Sequence, residues 1–394
     1  MEDLKKLKSR IDFFCDNKIN AFSPTISPAP KSMQRNEIES IYEAITYYAK
    51  RGIKEIIVQK KYMGSYCDIY LHKNIGDTYF VSRNGHRIDH IDLDLAKAAC
   101  KDLHQKFDWS NLSIVIIQSE LMPWNVLGKN LISNEFEGYL NAHQNHLHHL
   151  QNSDVYNKIN AVKTSGNYLE FISFKKQSTE KELKKKYAAH IIRQYSALEN
   201  FKLLNLDKYE NGIKIYEEQI SHFGKAEALH FKPFNILKKI FADDTEEIIN
   251  DNLSYQQIND DAFLLINIED PNQLEDEIQR VYDWFAELNN NKEEGIIIKP
   301  RQAFIQNMPP AFKVRNNHYL TMIYGVNFME ELQANIGKRK IGKKLDCSIN
   351  DWMINCSLLK IKYNSIHKEN YILKNLVLDR ILGEGIESTL DSRL

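Results

Sequence analysis

The stretch IIVQKKYMG, residues 56–64, ends an apolar run on two lysines and reaches a glycine three residues after the second. A lysine amine is a nucleophile only when neutral. Its ordinary pKa is about 10.4, so a site that uses it must favour the uncharged form by desolvation or by nearby cations. Lys61 sits at a strand end beside apolar residues, with Lys60 next to it. Gly64 would let the backbone come close to a bound group. Other charges stand in comparable places. Glu120 lies near the end of the apolar run LSIVIIQSELM (112–122), and Glu294 opens EGIIIKP, which carries Lys299 near its end. Lys313 and Arg315 are two apart in AFKVR, so a strand would turn both to one face. Burying such charges is costly unless they are paired or ligand-bound. Two carboxylates and several cations meeting in one pocket would suit a polyphosphate and its metal.

The elements that must position these residues can be sketched from periodicity. Residues 36–52 space Ile38, Ile41, Ile45 and Tyr48 as an amphipathic helix that stops at Gly52. EIIVQ then reads as a strand, and CDIYLH and TYFVS flank the turn-like KNIGD as a meander. SPTISPAP (23–30) reads as an extended connector. From 131 to 230 glycine and proline are scarce, and this region is expected to be a mainly helical insertion. Within it, Ser178 is expected to cap one long helix running to about 205. Strand-like sequence returns at LHFKPFNIL and AFLLINI. A helix over 271–291 follows, then strands EGIIIKP and AFKVRNNHYLTMIYG, and helical sequence from 326. Strands and helices do not alternate regularly, which favours α+β with antiparallel sheets over a doubly wound parallel fold.

In chain order the sequence shows KYMGS at 61, SRNG at 82, SELMPW at 119, KPFNIL at 232, EGIIIKP at 294, AFKVR at 311 and YLTMIYG at 319, and it closes on DSRL. This set resembles the covalent nucleotidyltransferase superfamily of ATP-dependent ligases and capping enzymes. Within it, the nearest likeness is to the ligase module of bacterial polynucleotide kinase-phosphatase, from about residue 50 onward. The resemblance implies an antiparallel nucleotidyltransferase core over 1–130 and 231–325, with 1–50 as an N-terminal extension and helix. It leaves 131–230 as the helical insertion and 326–394 as a helical C-terminal module. It also implies an ATP-dependent RNA ligase acting in RNA repair, with ATP and Mg²⁺ or Mn²⁺ as cofactors. Lys61 matches the lysine that takes AMP, and Glu120 the ribose-binding carboxylate. Glu294 matches the acid that helps hold the metal, and Lys299, Lys313 and Arg315 match cations around the phosphates. Arg83 matches an arginine of the motif after the nucleophile, and Phe234 lies in an aromatic segment near the nucleotide. Where relatives often carry an arginine, this chain has Tyr66, and Arg83 is the candidate to compensate. The implied partners are RNA ends, an end-healing kinase/phosphatase and an RNA methyltransferase, since no kinase or phosphatase module is visible. The alternatives are another covalent nucleotidyltransferase, such as a DNA ligase or a GTP-using capping enzyme, or a non-catalytic nucleic-acid-binding relative.

Composition sets outer limits. The chain has 394 residues, 43% hydrophobic and 27% charged, with net charge −1, so any nucleic acid must be met by local patches. No apolar run is long enough to span a membrane, and the charged N-terminus has no apolar middle of a signal peptide. Five scattered cysteines point to free thiols in a reducing cytoplasm, with Cys67 the one to watch for alkylation. GKRKIGKK (337–344) approaches a phosphate-loop pattern but ends on Lys344 where that motif needs a hydroxyl. Lys338, Arg339, Lys343 and Lys344 there are candidate RNA-phosphate contacts instead. His143 and His146, three apart, could face each other on a helix, but no cysteine or carboxylate close by completes a zinc set.

Overall fold

The computed structural model describes residues 2–126, 135–225 and 227–383. Its strands are β1 (Ser27–Pro28), β2 (Glu55–Lys61), β3 (Ser65–His72), β4 (Tyr79–Ser82), β5 (Leu112–Met122), β6 (His230–Phe241), β7 (Glu246–Ile248), β8 (Phe263–Asn267), β9 (Gly295–Pro300) and β10 (Phe312–Arg315). They form two sheets, in the orders β1-β10-β9-β2-β8 and β4-β3-β5-β6-β7. Every pairing is antiparallel except β1 with β10.

Register decides which residues face each other. Lys61 pairs with Gly295, Gln59 with Ile297 and Ile57 with Lys299; Ile297 pairs in turn with Lys313, and Gly295 with Arg315. Directly paired residues share a face, so Gln59, Lys61, Lys299, Lys313 and Arg315 project from one side of the first sheet. The other side carries Ile56, Val58, Ile296, Ile298, Phe312 and Val314, all buried against the helices Ile41–Ala49 and Leu274–Asn290. Each of those side chains contributes roughly 1.5–3 kcal/mol by leaving water. In the second sheet, Cys67, Ile69, Leu71, Val115, Ile117 and Leu121 bury one face. Tyr66 pairs with Glu120 and Asp68 with Gln118 on the opposite face. Farther along that face Tyr70 and Ile116 join a core with the helices Glu2–Asp16, Gly342–Leu359 and Tyr371–Leu382.

Between β5 and β6 the described chain is helical, from Glu137–Gln151 to Leu206–Phe223. Leu206–Phe223 packs against the helix Asn317–Tyr324 that follows β10, in a cluster with Met63, Trp124, Tyr209, Tyr216, Tyr319 and Met322. Among the described residues, no helix is long and apolar enough to cross a membrane.

Several local expectations are corrected. The helix expected to start at Ser178 is broken into Glu180–Lys186 and Ala189–Glu199. Ser178 donates its hydroxyl to Phe174 O, and Thr179 is the cap, closed reciprocally by Glu182 at 2.8 Å. The strand expected over 311–325 stops at Arg315. Asn316 accepts a hydrogen bond from Tyr319 N at 2.6 Å and opens a helix that buries Tyr319 and Met322 against one core and Leu320 against another. The 23–30 segment is extended as expected, and it is also anchored. Phe22 N donates to Asn355 Oδ1 at 2.8 Å, Thr25 N donates to Asp351 Oδ2 at 2.9 Å, and Ser27–Pro28 join the first sheet as β1. Trp124 is buried and stacks on Phe136 at 5.8 Å, so it braces the helical region. The closing DSRL lies outside the described residues.

Candidate active site

β2 delivers Lys61 to the cleft between the two sheets, where its Nζ lies 2.7 Å from Glu294 Oε1. Lys61 is one-fifth exposed and Glu294 almost fully buried, so the amine stands at the mouth of the site and its partner lies deeper. Glu294 is fastened through its backbone, with Asn316 N donating to its carbonyl at 3.0 Å. The next residue, Gly295, has φ +152°, and a Cβ there would stand 2.1 Å from Val314 O. The absent side chain is what lets β10 approach β9 closely enough to bring Lys313 and Arg315 beside Lys61.

β5 supplies Glu120 from the opposite sheet. Burial pushes its carboxyl up to about 7, Glu294 adds to the rise, and Lys61 and Arg83 oppose it. Glu120 thus lies within electrostatic range of Lys61, Glu294 and Arg83, although the four come from separate segments. Glu120 Oε2 and Glu294 Oε2 are both buried without a hydrogen-bond partner. Burial also pushes Lys299 down to about 7, and its Nζ donates to Phe234 O at 3.1 Å. Lys313 is held well below the ordinary lysine range by burial, then by Arg315 and Lys61. The site thus holds carboxyls with spare acceptor atoms beside the buried amines of Lys299 and Lys313, an arrangement that an anionic ligand with a cation of its own would complete.

Tyr66 stands beside Glu120, and its hydroxyl donates to Asp68 Oδ1 at 2.6 Å and accepts from Gln118 Nε2 at 2.7 Å. Phe234 meets its ring edge-on at 6.1 Å. Asp68 is fully buried, and burial raises its carboxyl to about 7. Tyr66 is therefore part of the cleft floor, wired to a buried acid.

A model of the family described as the PNKP adenylyltransferase domain, ligase domain, matches residues 12–366. The chain belongs to this family. Two solved structures agree along the whole length. A chain of the Pnkp1/Rnl/Hen1 RNA repair complex is 54% identical with a TM-score of 0.90, and a second Pnkp1/Rnl/Hen1 complex gives 53% and 0.86. In both, 99% of each chain is covered. No curated protein matches the chain.

In this PNKP-type adenylyltransferase the remaining expected residues distribute unevenly. Gly64 lies close against β5: a Cβ there would meet Met122 Sδ at 2.6 Å and Leu121 O at 2.9 Å. Its role is to let the loop after Lys61 lie on β5. Arg315 projects from the same sheet face as Lys61 and is bound to Glu39, its Nη2 at 2.6 Å from Oε1. Arg339, expected among solvated phosphate contacts, donates to the same Glu39 oxygen at 2.7 Å and to Tyr324. Lys338 and Lys343 are exposed, and Lys344 acts electrostatically on Lys313. GKRKIGKK spans the end of one helix, Leu332–Lys338, and the start of the next, with no preceding strand. His143 and His146 both turn Nδ1 to the Tyr209 hydroxyl, at 2.5 and 3.1 Å, and no metal-type cluster exists among the described residues. Cys67 is buried on the apolar side of β3, and burial raises its thiol far above the ordinary value, so the alkylation expected there is disfavoured.

Sequence reading missed Glu39 and Tyr319. Tyr319 interacts with Glu294 through its hydroxyl, and its usefulness was hidden because it was read as part of a strand. Glu39 lies 276 residues from Arg315, and nothing local marks it.

Proposed function

We propose that this chain is an ATP-dependent RNA ligase that works through a covalent lysyl-AMP on Lys61. The observation that carries the reading is Lys61 Nζ held 2.7 Å from buried Glu294 in a cleft it shares with Glu120. Lys61 gives up one proton to become nucleophilic and attacks the α-phosphorus of ATP. The P–N bond forms as the bond to the β-phosphate oxygen breaks, pyrophosphate leaves, and Nζ loses its second proton. Lys313 and Lys299 lie where charge builds on the phosphate oxygens, and fixed cations stabilise that state more than the ground state. A 5′-phosphate oxygen of RNA then attacks the lysyl-AMP phosphorus and releases the amine. Finally a 3′-hydroxyl attacks the 5′-phosphate and AMP departs.

The two orphaned carboxylate oxygens of Glu120 and Glu294 fit Mg²⁺ or Mn²⁺, hard cations that take one or two carboxylates and complete their shell with water and substrate phosphate. When bound, the ion would neutralise phosphate charge. Glu294, with its buried Oε2 free of hydrogen bonds, is the first candidate to hold it. Tyr66, Phe234 and Arg83 form the nucleotide-facing surface around Glu120. The helices of 135–225 and the exposed lysines of 338–344 are the surfaces offered to RNA. The matching structures are of Pnkp1/Rnl/Hen1 complexes. An end-healing kinase/phosphatase and a methyltransferase are accordingly the proposed partners here.

Intact-mass spectrometry after incubation with ATP and Mg²⁺ tests the reading. A gain of one AMP that is absent from Lys61→Ala, followed by sealing of a 5′-phosphate RNA end, is expected. Labelling by GTP instead, or sealing of DNA alone, would move the protein to another branch. No adduct with any nucleotide would end the proposal.

A further inference from the structure

A single carboxylate outside the cleft ties its cations together. Glu39 has a side chain with no exposure at all, yet it accepts four hydrogen bonds: from Arg315 N at 2.9 Å, Arg315 Nε at 3.2 Å, Arg315 Nη2 at 2.6 Å and Arg339 Nη2 at 2.7 Å. Burial alone would push this carboxyl up. Arg315, and after it Arg339 and Lys313, outweigh that and hold it below the usual range. Replacing a buried ionic triad by apolar side chains is often neutral or stabilising, so stability is a weak reason for one to exist.

Its position suggests a better reason. Arg315 shares a strand face with Lys313, two residues away, and Lys313 senses Lys61. Arg339 sits in the basic turn that places Lys344 within reach of Lys313. Without an anion behind them, Arg315 and Arg339 would be two guanidinium groups repelling each other and Lys313 in a poorly solvated space. We propose that Glu39 is a positioning residue for the phosphate end of the cleft, fixing Arg315 and Arg339 so that a triphosphate meets cations already set in place. Fixed charges of this kind need no reorganisation on binding. The inference rests on the adenylylation reading above. It concerns ATP entry alone, because RNA that already carries a 5′-linked AMP brings no pyrophosphate for these cations to hold.

The test compares Glu39→Gln and wild type in two reactions, self-adenylylation over a range of ATP concentrations and sealing of pre-adenylated RNA. The half-saturating ATP concentration should rise about tenfold in Glu39→Gln, with less than about a threefold loss in rate at saturation and in sealing. Glu39→Asp keeps the charge and shortens the reach. It should lie between the two, and it carries the test if Glu39→Gln fails to fold. Arg339→Gln, which cuts one arm of the triad, should shift ATP saturation in the same sense. Unchanged ATP saturation in the folded variants, or equal losses in both reactions, would overturn the proposal. Wild-type protein that takes up no AMP would instead refute the functional reading itself.

Discussion

Replacing Gly295 by alanine should damage the site without touching any charged group. The new Cβ would lie 2.1 Å from Val314 O and 2.8 Å from Arg315 Cα. Ordinary contact begins near 3.4 Å, so β10 would have to retreat by about 1 Å from β9, taking Lys313 and Arg315 with it. Overpacking of this kind costs about 1–3 kcal/mol, and a φ of +152° adds about 1–2 kcal/mol for a residue with a side chain. A fall in stability of roughly 2–5 kcal/mol is expected. A misplacement near 1 Å costs about 100-fold in rate where geometry governs the chemistry. The assay is the single-turnover rate of AMP attachment to Lys61, followed by intact mass below the melting temperature of the variant, beside a urea titration. Gly52→Ala is the control, since Gly52 also has a positive φ, +78°, but no atom lies within 4 Å of its Cβ position. It should lose about 1 kcal/mol and no rate. Wild-type adenylylation by folded Gly295→Ala would refute the claim that the β9–β10 approach sets the cations.

Lys299 has a pKa near 7 in the fold against 10.5 when exposed, so the native state binds fewer protons than the unfolded chain between those values. Its stability contribution is full above pH 10.5 and is lost as pH falls through about 7. The gap of 10.5 − 7 = 3.5 is worth at most roughly 5 kcal/mol. Lys299→Met should remove that slope, seen as urea stability curves that diverge from wild type between pH 7 and 10; parallel curves would count against it. Cys67 and Cys100, buried and with raised pKa values, should resist a thiol reagent in the native protein while Cys347 and Cys356 react first, as read by peptide mass. Equilibrium dialysis should find no zinc bound through His143 and His146, and zinc lost on replacing both would contradict the Tyr209 hydrogen bonds.

What could be read from the sequence was local. β5 lies where the apolar run 112–122 put it, because a strand buried on both faces leaves an unbroken apolar signature. Lys313 and Arg315 share a face because alternation is a property of the strand alone. Failures occurred where a distant partner or a single cap decided the outcome. Asn316 turned an expected strand into a helix with one hydrogen bond to Tyr319 N. Thr179 took the cap from Ser178 because Glu182 could reach back to it. Arg339 belonged to a run of lysines that invites a reading as solvated charge, and only the fold brings Glu39 beneath it.

The pairing of β1 with β10 also bears on how the protein is made. Pro28 must wait for Phe312 and its neighbours, and Phe22 and Thr25 must wait for Asn355 and Asp351. At about 5–20 residues per second, roughly 15 to 60 seconds of synthesis separate the emergence of the two strands. During that interval the first sheet lacks β10, the strand that carries Lys313 and Arg315, so the nascent ligase cannot complete that wall of the cleft until most of the polypeptide has left the ribosome.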